Sequence, residues 1–121
     1  DVKFSGSTED FIRWLQTHPG ITVGAAKPIT IGDVPGTAMD VVTSPAPPAT
    51  FPCSGPHSAS TKCVFVTNIP GKGHSQLILG RPETFAILTV HGRTVVIDVS
   101  GDTAEGRAAG LSAVEHSFQF P

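Results

Sequence analysis

Two carboxylates stand inside apolar segments of this sequence: Asp40 in Ala-Met-Asp-Val-Val and Asp98 in Val-Val-Ile-Asp-Val. A carboxylate in such a setting is costly unless a partner satisfies it. Facing each other across a cleft, the two would form a hydrolase pair, because burial and mutual repulsion push their pKa values apart and leave one acid and one base. The simpler reading gives each aspartate a nearby Thr, Arg or backbone donor, or an exposed edge position. The residue pattern favours the simpler reading, since no recognisable nucleophile accompanies the pair.

Other chemistries find less support. No serine sits in the G-x-S-x-G frame of a strained nucleophile turn. Gly71-Lys72-Gly73-His74-Ser75 lacks the spacing of a phosphate-cradling loop. Histidines 18, 57, 74, 91 and 116 share no H-x3-H or H-E-x-x-H spacing, so neither a metal nor a cofactor is expected. Protonating all five below about pH 6 would move the formal charge from −2 to +3, which leaves pH sensing as a conceivable role. With eight basic and ten acidic residues there is no basic patch for a nucleic acid. No apolar run reaches the ~20 residues needed to span a bilayer. The expectation is a soluble, non-enzymatic protein.

Cys53 and Cys63 flank a Pro- and Ser-rich stretch and are too few for a four-ligand zinc site. A disulfide is expected, and an oxidising compartment with it. Closing so short a ring stabilises a fold by about 2.5–3 kcal/mol when the native geometry is unstrained. The alternative is two free thiols in a reducing compartment. Only 15 % of the 121 residues are charged against 39 % hydrophobic, so the surface must be built largely from Ser, Thr, Gly, Pro and Ala.

The elements that would position these residues follow from pattern. Ser7 offers an N-cap with Glu9 and Asp10 in the first turn, and Phe11, Trp14 and Leu15 form a helical apolar stripe that ends at His18-Pro19-Gly20. Ile21 to Ile31 reads as extended chain broken at Gly24 and Pro28, with a turn over Gly32–Gly36 and a return strand from Thr37 to Thr43. Five prolines between Ser44 and Lys62 argue against a ladder strand and for a long rim loop, in which Phe51 and His57 are the candidate contact residues. Strands are expected over Val64–Asn68 and Ser75–Leu79. A hairpin with Gly92-Arg93 as its turn would pair Val90 with Val95, Leu88 with Ile97 and Ala86 with Val99. Its other face, from Phe85 to Ser100, is too apolar for open water and needs a partial cover. Asp102 or Thr103 caps a second helix, Gly106 and Gly110 within it imply close packing, and Val114–Phe120 reads as a last strand.

Three segments resemble a group of actinobacterial and related envelope proteins: Asp10–Leu15 through His18-Pro19-Gly20, Pro28–Gly32 through Gly36 and Asp40-Val41, and Thr94–Val99. The closing helix followed by Glu115-His116-Ser117-Phe118-Gln119-Phe120 is similar to the end of the Mog1/PsbP-like fold, shared by small lipoproteins that bind hydrophobic ligands or partner proteins. The resemblance implies strands upstream of Asp1. It carries no catalytic motif.

The resulting expectation is one α+β domain over 1–121, or the C-terminal part of a larger one. It has an antiparallel sheet of about six or seven strands, an N-terminal and a C-terminal helix, and a disulfide-pinned loop over 44–62. The expected function is a non-catalytic binding or interaction domain of a bacterial envelope, secreted or membrane-anchored on the extracytoplasmic side. Its partner is a protein or a small apolar ligand. The alternatives are a carrier of that ligand or a lipid, and a hydrolase using Asp40 and Asp98.

Overall fold

Ser7 caps the first helix as its sequence position implies: its Oγ accepts a hydrogen bond from the Asp10 amide at 3.1 Å. Helix α1 (Thr8–Thr17) carries Glu9 and Asp10 in its first turn and buries Phe11 and Leu15. Burial of two such side chains contributes about 1.5–3 kcal/mol each. The computed structural model describes residues 7–52, 62–69, 73–117 and 119–120.

Among the described residues eight strands follow: β1 (Ile21–Val23), β2 (Lys27–Ile31), β3 (Val34–Thr43), β4 (Phe51–Pro52), β5 (Lys62–Ile69), β6 (Gly73–Ile78), β7 (Glu83–Val90) and β8 (Arg93–Ser100). Helix α2 (Ala104–Ser117) comes last. The fold is α+β with antiparallel pairing throughout. The main sheet runs β1-β3-β7-β8, with β2 also paired to β3, and β4-β5-β6 form a second, three-stranded sheet. β1 and β2 occupy one side of β3 as a single interrupted strand, and the Gly24 amide at the break still donates to the Asp40 carbonyl at 2.8 Å.

The main sheet separates two cores. On one face Phe11, Leu15 and Ile21 meet Met39, Val41, Phe85, Ile87 and Leu77 of β6. This is the half-apolar hairpin face that called for a cover, and α1 supplies it. Thr8 Oγ1 shares hydrogen bonds with the Thr89 hydroxyl at 2.5 Å and the Thr94 hydroxyl at 3.2 Å. On the other face Leu111, Val114 and Phe120 pack over Ile31, Ala86, Leu88 and Ile97.

Four expectations require correction. The turn after Ile31 is only Gly32-Asp33, both at positive φ (54° and 65°), so Val34, Pro35 and Gly36 already belong to β3. This two-residue geometry matches the right-handed twist of the flanking strands. The β7–β8 turn is His91-Gly92, at φ 50° and 75°, and the register becomes Leu88 with Val95, Ala86 with Ile97 and Thr84 with Val99. Because the shift is two residues, every side chain keeps its face. Within the expected loop over 44–62, Phe51 and Pro52 form β4 opposite Cys63 and Lys62, at a sheet edge where a missing donor is tolerated. Finally, Val114 to Ser117 continue α2 instead of forming a strand, because Leu111 and Val114 are helical neighbours on the stripe that packs on the sheet.

Gly110 allows α2 to sit close. A Cβ there would lie 2.8 Å from Val99 Cγ1. Gly36 does the same inside the sheet, where a Cβ would meet the Ile87 carbonyl oxygen at 2.7 Å.

Candidate functional site

The strand register places the two aspartates. Asp40 is opposite Thr84, and Thr84 is opposite Val99; Asp98 is opposite Phe85, and Phe85 is opposite Met39. Side chains of directly paired residues share a face and neighbours along a strand alternate. Asp40 therefore projects on the α2 side of the sheet and Asp98 on the α1 side. The sheet lies between them, so they cannot act together on one substrate, and the two-aspartate hydrolase is excluded.

Asp40 is exposed, and its Oδ1 accepts from Thr84 Oγ1 at 2.6 Å. It lies in an open cleft between α2 and the β2–β3 side of the sheet, of about 330 Å³. Ala25, Ala38, Ala104 and Ala108 leave room for it, while Lys27 and Glu105 bring charge to its lining. The cleft exists because small residues on both sides stop short of each other there. Further along α2, Leu111 and Val114 fill the same interface.

Asp98 has a partner that sequence spacing does not reveal. Glu83 is opposite Ser100, two residues from Asp98 on the same face. Glu83 is only 9 % exposed and Asp98 is exposed, and the Asp98 carboxyl is the neighbour that acts on the Glu83 proton. Desolvation is the largest cause of a rise in the Glu83 pKa from 4.5 to about 8. The bond to Asp98 and that residue's negative charge raise it further, while Arg81 opposes the rise. Desolvation also pushes Asp98 up, and its bond with Glu83 pulls it down. The pair thus holds a proton between its two carboxyls, and Glu83 is the more buried of the two. The other Glu83 oxygen, Oε2, is buried without a hydrogen-bond partner. Glu83 follows Arg81-Pro82, which reads as a chain break; only the β7–β8 register brings it to Asp98.

Two further candidates, Phe51 and Cys63, lie in the second sheet. Phe51 enters β4 opposite Cys63. Cys63 is fully buried, and no free cysteine occurs among the described residues. Cys53 and His57 lie outside the described residues. Among the described residues no group of three or more His, Cys, Asp or Glu is placed to hold a metal ion.

The most open feature is β8 itself. Among the described residues it pairs with β7 on one side and ends the main sheet on the other. Val90 and Arg93 flank the two-residue turn and so exchange both backbone bonds, after which bonded and non-bonded pairs alternate. Arg93, Val95, Ile97 and Val99 thereby bond inward to β7. Val96, Asp98 and Ser100 direct their backbone N–H and C=O groups away from it. The strand is eight residues long, contains no proline, and leaves Val96 39 % exposed. The opposite edge is interrupted between Val23 and Lys27 and carries Pro28, features that discourage strand addition.

No protein-family model, no curated protein and no solved structure matches this chain. No helix among the described residues is long and apolar enough to cross a membrane.

Proposed function

We propose that this chain is a non-catalytic interaction domain of a bacterial envelope protein, secreted or membrane-anchored on the extracytoplasmic side. It takes an extended segment of a partner polypeptide along the edge of β8 that no other described strand covers. The observation that carries this reading is the contrast between the two edges of the main sheet: β8 is continuous and proline-free, whereas β1 and β2 are broken and blunted. Strand addition draws affinity from main-chain hydrogen bonds and specificity from alternate side chains. The extracytoplasmic placement rests on the Cys53–Cys63 bridge expected from the sequence and on the three segments similar to envelope proteins. The Mog1/PsbP-like form of the α+β fold belongs to the same proposal.

The test is a displayed library of extended peptides selected on the purified protein, with binding mapped by amide chemical shifts. Shifts concentrated on Val96, Asp98 and Ser100 are expected. Val96→Pro removes one outward-facing N–H without touching a β7 bond and should abolish binding. Selected peptides that shift other elements, or that bind Val96→Pro equally well, would overturn the reading.

A second reading, a carrier of a small ligand, is favoured by the cleft under α2. Its ~330 Å³ falls at the lower end of ligand-pocket volumes. Its charged lining and open form fit a lipid less well than an enclosed apolar cavity would. Displacement of an apolar fluorescent probe by Ala108→Leu would support this reading, and no probe binding would remove it.

A further inference from the structure

The β7–β8 hairpin is closed at one end by its turn and at the other by two acids. Glu83 and Asp98 sit diagonally on the same face, and Glu83 is buried where Val41 flanks it on β3 and Ser100 on β8. Glu83 is buried whereas Asp98 is exposed, so like-charge contact and the removal of Glu83 from water both disfavour the doubly charged form. One proton between them converts repulsion into a hydrogen bond. We propose that Glu83 and Asp98 form a proton-dependent latch that fastens the start of β7 to the end of β8 and is released when the shared proton leaves.

One cation among the described neighbours opposes the proton of this pair. Arg81, ahead of β7, is the cation acting on Glu83, and it also reaches Asp102 at 3.5 Å. β3 contributes Val41 and Thr43 to this face, with no titratable group. α1 presents Phe11 and Leu15 to the sheet; its Asp10 and Arg13 pair with each other at 3.0 Å and Glu9 is exposed. His18, at the end of α1, packs edge-on against Trp14, and its Nδ1 accepts from the Gly20 amide. β6 brings Leu77 to this core. The burial of Glu83 and its raised proton affinity are consistent with release in the mildly alkaline range.

Asp98 and Ser100 also contribute outward-facing backbone to the edge of β8 that no other described strand covers. Release would therefore loosen the surface proposed above to take a strand, a consequence that rests on that reading, whereas the latch itself does not.

The latch is tested on the protein alone, without a partner. The side-chain carboxyl carbon of Glu83 is followed by NMR titration, and amide protection is measured along β8 at about pH 6 and about pH 9. We expect Glu83 to titrate well above the ordinary carboxyl range. Protection at Val99 should fall about tenfold more than at Val95, corresponding to about one pKa unit of coupling. Glu83→Gln should abolish this difference, and Asp98→Asn provides the same readout if Glu83→Gln does not fold. Titration of Glu83 near its ordinary value, or a loss of protection uniform along β8, would overturn the latch while leaving peptide binding at β8 untouched.

Discussion

Asp40 and Asp98 project from opposite faces of one sheet, because their partners on β7, Thr84 and Phe85, are adjacent residues. A two-carboxylate mechanism is thereby removed, and Glu83 replaces Asp40 as the group that matters to Asp98. Asp40 has a hydroxyl donor, Asp98 a neighbouring carboxyl. Two acidic residues in nearly identical sequence settings thus have different electrostatic surroundings.

This separation predicts a pattern of additivity. Asp40→Asn and Asp98→Asn should combine additively in urea unfolding, within about 0.3–0.5 kcal/mol, as expected for sites that share no partner. Glu83→Gln and Asp98→Asn share a hydrogen bond and should depart from additivity by more than that. A double-mutant cycle giving the reverse ordering would contradict the assigned faces.

The pH dependence of stability follows from Glu83. Its proton affinity is higher in the folded than in the unfolded chain, so its contribution is fully present below pH 4.5 and is lost as pH rises through about 8. Thermal unfolding between about pH 5 and about pH 9 should therefore show stability declining with pH over that window. In Glu83→Gln the decline should flatten, leaving the variant more stable than the parent at the alkaline end. An unchanged slope would assign the pH dependence to other groups.

Two glycines should fail for different reasons. Gly92→Ala places a side chain at φ 75° with nothing within 4 Å, so it should cost about 1 kcal/mol through backbone strain alone. Gly110→Ala should cost about 1–2 kcal/mol through collision with Val99 Cγ1, despite the better helix propensity of Ala. In a Val99→Ala background the Gly110→Ala cost should largely disappear, while that of Gly92→Ala should persist. Chemical denaturation of the four variants decides between these outcomes.

A Cys53–Cys63 bridge predicts no reactive thiol in the native oxidised protein and a gain in mass on reduction. Removing it through Cys63→Ala should cost about 2–5 kcal/mol, since the lost cross-link is joined by the cavity left at a fully buried position. Two thiols titrating in the unreduced protein would withdraw both the bridge and the extracytoplasmic placement.

Local patterns alone determined α1, its Ser7 cap, the interruption at Gly24, and the two faces of the β7–β8 hairpin. Each depends on residues a few positions apart, or on alternation that survives a two-residue shift of register. The same local rules misplaced both turns, since which two residues take positive φ is settled by the twist of the strands they join. They also read Val114–Phe120 as a strand, whereas the sheet face beneath selects Leu111 and Val114 as one helical stripe. Glu83 left no local signal: beside Pro82 it reads as the end of a loop. Its burial, its proton and its bond to Asp98 exist only because antiparallel pairing brings residues fifteen positions apart onto one face. The edge of β8, which no other described strand covers, likewise belongs to the tertiary structure, because a strand's sequence records which side chains it buries but not which strands flank it.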